Sequence, residues 1–142
     1  PVMQQQHHGR AIFTTSGRAM FMEDALPELT GYAIGKMAQL GLMNALAVAG
    51  EAHGIGVNAI SPVAATRMLQ RPAAPQELRP EQVAPGVAFL ASSQCNFSGI
   101  VLQASNGHFS VAQWERSTGV DFGEEIATPE EIADRWGVIM RA

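Results

Sequence analysis

Three short apolar, β-branched runs punctuate the chain. Ala11–Thr15 (AIFTT), Gly56–Ile60 (GVNAI) and Gly99–Ala104 (GIVLQA) are bounded by Gly, Ser or Pro, a pattern that predicts strands. Ser61-Pro62 marks the expected end of the second. Between the first two, Thr30–Ala52 is built of small and straight-chain residues, and from Gly31 onward its only formal charges are Lys36 and Glu51. A helix apolar almost all round is buried on more than one side. His53-Gly54 gives it a glycine stop. Pro80–Ala91 predicts a second helix, with Pro80 at its first position and Glu81 facing the macrodipole. Pro85 falls early enough in it to be tolerated. Thr128-Pro129-Glu130-Glu131 reads as a capping box opening a last helix, Pro129 to about Met140. Met3–His8 reads as a helix end or polar connection. Gly17–Leu29 and Val63–Arg79 read as loops, the second with room for a helical turn around Thr66–Leu69.

Strand–helix–strand–helix–strand predicts the α/β class, with a parallel sheet and right-handed crossovers. Three strands make a thin sheet with one edge unpaired, an aggregation hazard. The expectation is that a missing half completes it.

Composition narrows the function. The 142 residues suffice for one domain, 46% are hydrophobic, 15% are charged and the net charge is −4. That balance argues against disorder. No Lys/Arg cluster is available to neutralise phosphates, so no nucleic-acid partner is expected. The most apolar stretch, Leu40–Gly50, falls short of the roughly 20 residues that span a bilayer. The opening PVMQQQHHGR has no apolar run of a signal peptide. A single cysteine, Cys95, suits a reducing, cytoplasmic setting. His7, His8, His53 and His108 have no metal-site spacing, so no metal is expected. Trp114 and Trp136 are expected to pack the tail against the body or a partner chain.

Candidate chemistry lies in Tyr32-Ala33-Ile34-Gly35-Lys36. A spacing of four places phenol and ammonium on one helix face. An ammonium beside a phenol favours the phenolate, as general acid–base work requires. The same spacing occurs in helices whose tyrosine is half exposed and whose lysine is solvated, so the pair alone decides nothing. Its context adds to it. One strand ends at Thr15-Ser16 before the pair and another at Ser61-Pro62 after it, and α/β folds bind ligands at strand carboxyl ends.

GRAIFTTSG, GYAIGKMAQLGLMNALA, HGIGVNAISPVAATRM, PEQVAPGVAFLAS and GIVLQASNG, in that order, resemble the second half of a short-chain dehydrogenase/reductase. The opening PVMQQQHHGRAIF and the tail GHFSVAQWERSTG and TPEEIADRW most resemble the (3R)-hydroxyacyl-CoA dehydrogenase unit of peroxisomal type 2 multifunctional enzymes and its bacterial relatives. The resemblance implies a Rossmann-like doubly wound parallel sheet, with residues 1–142 as its C-terminal catalytic half and the dinucleotide-binding half outside them. It implies NAD or NADP as cofactor, a secondary alcohol or ketone as substrate, 3-hydroxyacyl-CoA-like by the tail, and a homodimer or homotetramer. By the same resemblance Tyr32 transfers the proton and Ser16 hydrogen-bonds the substrate oxygen. Lys36 supports Tyr32 and holds the nicotinamide ribose. Tyr32, Lys36 and Pro62, Val63, Ala65 and Thr66 meet the cofactor. Ser16 could instead satisfy a turn, and Thr66 could cap a helix. Asn58 is expected to be structural.

The chain departs from the family pattern in three ways. Ser16 and Tyr32 lie 16 positions apart, more than is usual there. Pro62 is followed by Val63 rather than glycine. No glycine-rich phosphate turn is present to offer backbone N–H groups to a pyrophosphate. A second reading is therefore an oligomerisation or scaffold fragment that binds no nucleotide. A serine hydrolase is disfavoured, because Ser16 sits in TTSG and not in a nucleophile elbow.

Overall fold

A computed structural model describes all residues except Met68, Gln70, Arg71 and Ala142. It divides into two compact units, Pro1–Ala112 and Gln113–Ala142.

In the first unit, helix α1 (Val2–Gln6) leads into strand β1 (Gly9–Thr14), the short helix α2 (Gly17–Met20) and two 3-10 turns. The long helix α3 (Thr30–Glu51), strand β2 (Ile55–Val63), helix α4 (Ala84–Ala91) and strands β3 (Val101–Ser105) and β4 (His108–Ala112) follow. The sheet order is β1-β2-β3-β4. β1–β2 and β2–β3 are parallel, and β3–β4 is antiparallel. The α/β class and the open, mostly parallel sheet agree with the sequence reading.

Period-two alternation sorts the strands onto two helical layers. Ala11, Phe13, Val57, Ala59 and Val101 join Leu40 and Met43 of α3 in one cluster. Ile12, Ile60, Leu102 and Ala104 join Leu90 of α4 and Cys95 in the other. β2 is buried without interruption from Val57 to Ser61, as a central parallel strand covered on both faces must be. α3 approaches β2 closely at Gly50, where a Cβ would stand 2.7 Å from the Ile55 carbonyl oxygen.

Three expectations need correction. The sheet has four strands, not about three. Asn106 (φ 51°) and Gly107 (φ 78°) form a two-residue turn of left-handed backbone, which reverses the chain and adds β4 along β3. Second, β2 runs past Ser61-Pro62 to Val63. Ala59 N–H donates to Ile100 O on the β3 side, so alternation turns the Pro62 nitrogen toward β1. The β1 register ends at Thr14↔Ile60, and a missing N–H there breaks no ladder bond. Third, the loop expected over 17–29 holds α2 and the two turns, Met22–Asp24 and Pro27–Leu29. The expected turn at 66–69 includes Met68, which lies outside the described residues; Leu69 N–H donates to Thr66 O beside it.

The second unit contains helix α5 (Pro129–Ile139). Thr128 Oγ1 accepts from Glu131 N–H at 3.3 Å, and the Glu131 carboxylate accepts from Thr128 N–H at 2.9 Å. This is the reciprocal box expected from the sequence. Trp114 and Trp136 are both more than half exposed.

Candidate active site

β1 ends by delivering Thr14, Thr15 and Ser16 to the carboxyl edge of the sheet, and α3 passes beside them. The first turns of α3 carry Tyr32 and Lys36 on the side facing that edge. β2 ends there too, with Pro62 and Val63. The result is a cleft of about 610 Å³ lined by Thr14 to Arg18, Glu23, Asp24, Leu26, Tyr32, Lys36, Pro62 to Ala64, Thr66 and Leu69. The candidate residues Ser16, Tyr32, Lys36, Pro62, Val63 and Thr66 are thus brought together. Ala65 is not among the lining residues, and its N–H donates to Leu78 O at 2.6 Å.

Lys36 is half-buried, and its ammonium donates to Thr14 O at 2.8 Å. It lies 5.7 Å from the centroid of the Tyr32 ring, within cation–π range. An ammonium has three donors, so the Thr14 bond leaves two. Tyr32 is half-buried and its phenol has no hydrogen-bond partner among the described residues. Ser16 caps α2, its Oγ accepting from Arg18 N–H at 3.3 Å. The turn role foreseen for this hydroxyl is therefore filled through its lone pair, and its proton remains available to the cleft. The chemistry on hand includes the Tyr32 phenol, the Ser16 hydroxyl and the Lys36 ammonium around a shared space, which Arg18, Glu23 and Asp24 also line.

Asn58 lies away from this edge, buried, with its amide bonded to Phe97 O and Ile100 N–H. Its role is structural, as expected.

Sequence reasoning passed over two features. Lys36 is the chain's only lysine and Tyr32 its only tyrosine, which a residue count shows directly. Thr15 is buried and donates its hydroxyl to Lys36 O at 3.0 Å. Nothing in the spacing of Thr15 signals that contact. Among the described residues no group of three or more His, Cys, Asp or Glu could hold a metal ion.

No family model matches the chain. It is 33% identical to the peroxisomal hydratase-dehydrogenase-epimerase of Saccharomyces cerevisiae, over 96% of its own length and 15% of that protein's. It is 32% identical to a short-chain type dehydrogenase/reductase of Mycobacterium tuberculosis, over 98% of its length and 48% of that protein's. Among solved structures, full-length peroxisomal multifunctional enzyme type 2 from Drosophila melanogaster matches with a TM-score of 0.83 at 25% identity, covering 99% of this chain and 26% of that one. A short chain dehydrogenase from Mycobacterium avium matches with a TM-score of 0.70 at 26% identity, covering 91% and 44%. The chain spans less than half the length of these relatives.

Proposed function

We propose that the chain, which over the stretch it spans is similar to short-chain dehydrogenases/reductases, carries the acid–base side of an NAD- or NADP-dependent oxidoreductase site interconverting a secondary alcohol and a ketone. The observation that carries this reading is the convergence of Ser16, Tyr32 and Lys36 on one cleft at the carboxyl edge of the sheet.

In the oxidising direction the Tyr32 oxygen takes the proton from the substrate hydroxyl; in the reducing direction it returns one to the carbonyl oxygen. The Ser16 hydroxyl donates to the same oxygen and stabilises the charge that develops on it. The Lys36 ammonium, beside the Tyr32 ring, offers its two remaining N–H groups to the ribose hydroxyls of a nicotinamide nucleotide. Such a nucleotide, when bound, supplies hydride transfer at the carbon bearing that oxygen. The donor set fits that end of the cofactor, and Pro62, Val63 and Thr66 wall the space beside it. Among the described residues no glycine-rich turn links a strand to a helix, so holding the pyrophosphate is not assigned to this chain.

A 3-hydroxyacyl-CoA-like substrate is supported by the resemblance of the tail, GHFSVAQWERSTG and TPEEIADRW, while the name of one relative, a hydratase-dehydrogenase-epimerase, supports only the dehydrogenase reading. One buried free thiol, Cys95, suits a reducing compartment such as the cytoplasm. No helix among the described residues is long and apolar enough to cross a membrane.

Replacing Tyr32 with Phe removes the proton-transfer oxygen and is expected to lower turnover by about 10²–10⁴-fold. Nucleotide affinity, read by fluorescence titration with NADH and NADPH, should stay within a few-fold of the parent's. Parent-like turnover in Tyr32→Phe would reject the assignment.

A second reading, a scaffold piece that binds no nucleotide, draws on α3. This helix leaves Ile34, Met37, Leu42, Leu46 and Val48 exposed, an apolar surface that suits association as a homodimer or homotetramer. Saturable binding of either nucleotide would count against it.

A further inference from the structure

We propose that Thr15 is a positioning residue, whose buried hydroxyl fixes Lys36, and with it Tyr32, at a set distance from Ser16. The catalytic consequence rests on the oxidoreductase reading above; the clamp itself does not.

Three hydrogen bonds carry the inference. Thr15 N–H donates to Ile60 O at 2.8 Å, which holds the end of β1 onto β2. Thr15 Oγ1 donates to Lys36 O at 3.0 Å, which holds the helix main chain onto the end of β1. Lys36 Nζ donates back to Thr14 O at 2.8 Å. Strand and helix are therefore tied twice at one place, once through the lysine's backbone and once through its ammonium.

Thr15 is 2% exposed. A hydroxyl so deeply buried is costly unless bonded, and valine would fill the same volume without that penalty. The helix does not need the bond either, since Lys36 O sits mid-helix, where an N–H four residues on is its ordinary partner. What the hydroxyl adds is direction. A β-branched side chain has few χ1 choices, so its bond fixes α3 both along and about its axis at Lys36. Tyr32 lies one turn earlier on the same face. Ser16 is the next residue after Thr15, so one clamp sets both sides of the cleft.

Lys36 being the only lysine, its reactivity can be read without interference. The folded chain is treated with limiting acetic anhydride and the Lys36 peptide is followed by mass spectrometry. Removing the hydroxyl in Thr15→Val should raise the acetylation rate by about three- to tenfold, because once α3 is no longer held to the end of β1 through Lys36 O, the separate bond from Lys36 Nζ to Thr14 O loosens with it. Thr15→Ser keeps the hydroxyl and should remain within about twofold of the parent. Should the valine variant fail to fold, Thr15→Ala, which cannot overpack, makes the same comparison. Parent-like Lys36 reactivity in a folded variant without the hydroxyl would overturn the clamp.

Turnover supplies the second arm. Thr15→Val should lower kcat about tenfold, with KM within about twofold, because small misplacements of reacting groups are expensive. Thr15→Ser should restore kcat. Raised reactivity with unchanged kcat would overturn the positioning role. Turnover that survives Tyr32→Phe would instead overturn the oxidoreductase reading, and Lys36 acetylation would still decide the clamp.

Discussion

Asn58 spends its amide on both sides of one loop. Its Nδ2 donates to Phe97 O at 3.0 Å, and its Oδ1 accepts from Ile100 N–H at 3.2 Å, while Cys95 Sγ lies 3.7 Å from Nδ2. It therefore joins β2 to the chain entering β3 without any role in the cleft. Asn58→Ala removes the amide partner of two part-buried groups, Phe97 O, which keeps only the weak Cys95 thiol donor at 3.9 Å, and Ile100 N–H; a buried group left unpaired costs about 1–3 kcal/mol. The urea midpoint should fall clearly, with cleft residues undisturbed. A midpoint equal to the parent's would mean that water or a backbone shift replaces both bonds. Ser16 shows a different economy: a lone pair serves the first turn of α2 while the proton stays free. A single hydroxyl can satisfy both readings of it, the turn and the site, because donor and acceptor are separate functions of one atom.

At the scale of elements, α5 supplies a pH test. Hydrogen bonds from the Thr128 backbone and side chain hold the Glu131 carboxyl below its ordinary value of 4.5. A depressed folded value means that the charged cap stabilises the helix above the ordinary value. The contribution fades as pH falls through the lowered one. Amide NMR shifts of 132–136 should thus drift toward coil values on acidification below about pH 4.5. In Glu131→Gln that drift should be absent; if it persists, the carboxyl is not its source. The same helix shows what was legible in the sequence. A capping box is a contact between residues three apart, so Thr128 to Glu131 could be read directly. α3 was equally plain, since its composition hardly varies over 22 residues. β4 is less legible: Asn106-Gly107 is a strong hairpin signal, but His108–Ala112 is short and only partly apolar. The end of β2 is not legible at Pro62, because a proline interrupts a strand only where its missing N–H would join a ladder, and that depends on where β1 stops. The clamp between Thr15 and Lys36 spans 21 positions, and no local pattern encodes it.

For the molecule as a whole, the outer face of α3 carries a run of exposed apolar side chains. Ile34 is 65% and Val48 77% exposed, although the helix was expected to be covered on more than one side. Within this chain it buries Leu40, Met43 and Gly50. Exposed apolar side chains along one helix fit the association proposed above. Light scattering should report an assembly larger than one chain, and Ile34→Glu with Val48→Glu should reduce it to the monomer mass. Retention of the parent mass would place the interface elsewhere. The residue count has its own outcome at this scale. With a single tyrosine in the chain, a tyrosine-specific optical signal reports on one residue, and that residue is the candidate proton carrier. The polypeptide thus contains its own optical indicator, readable without label or substrate.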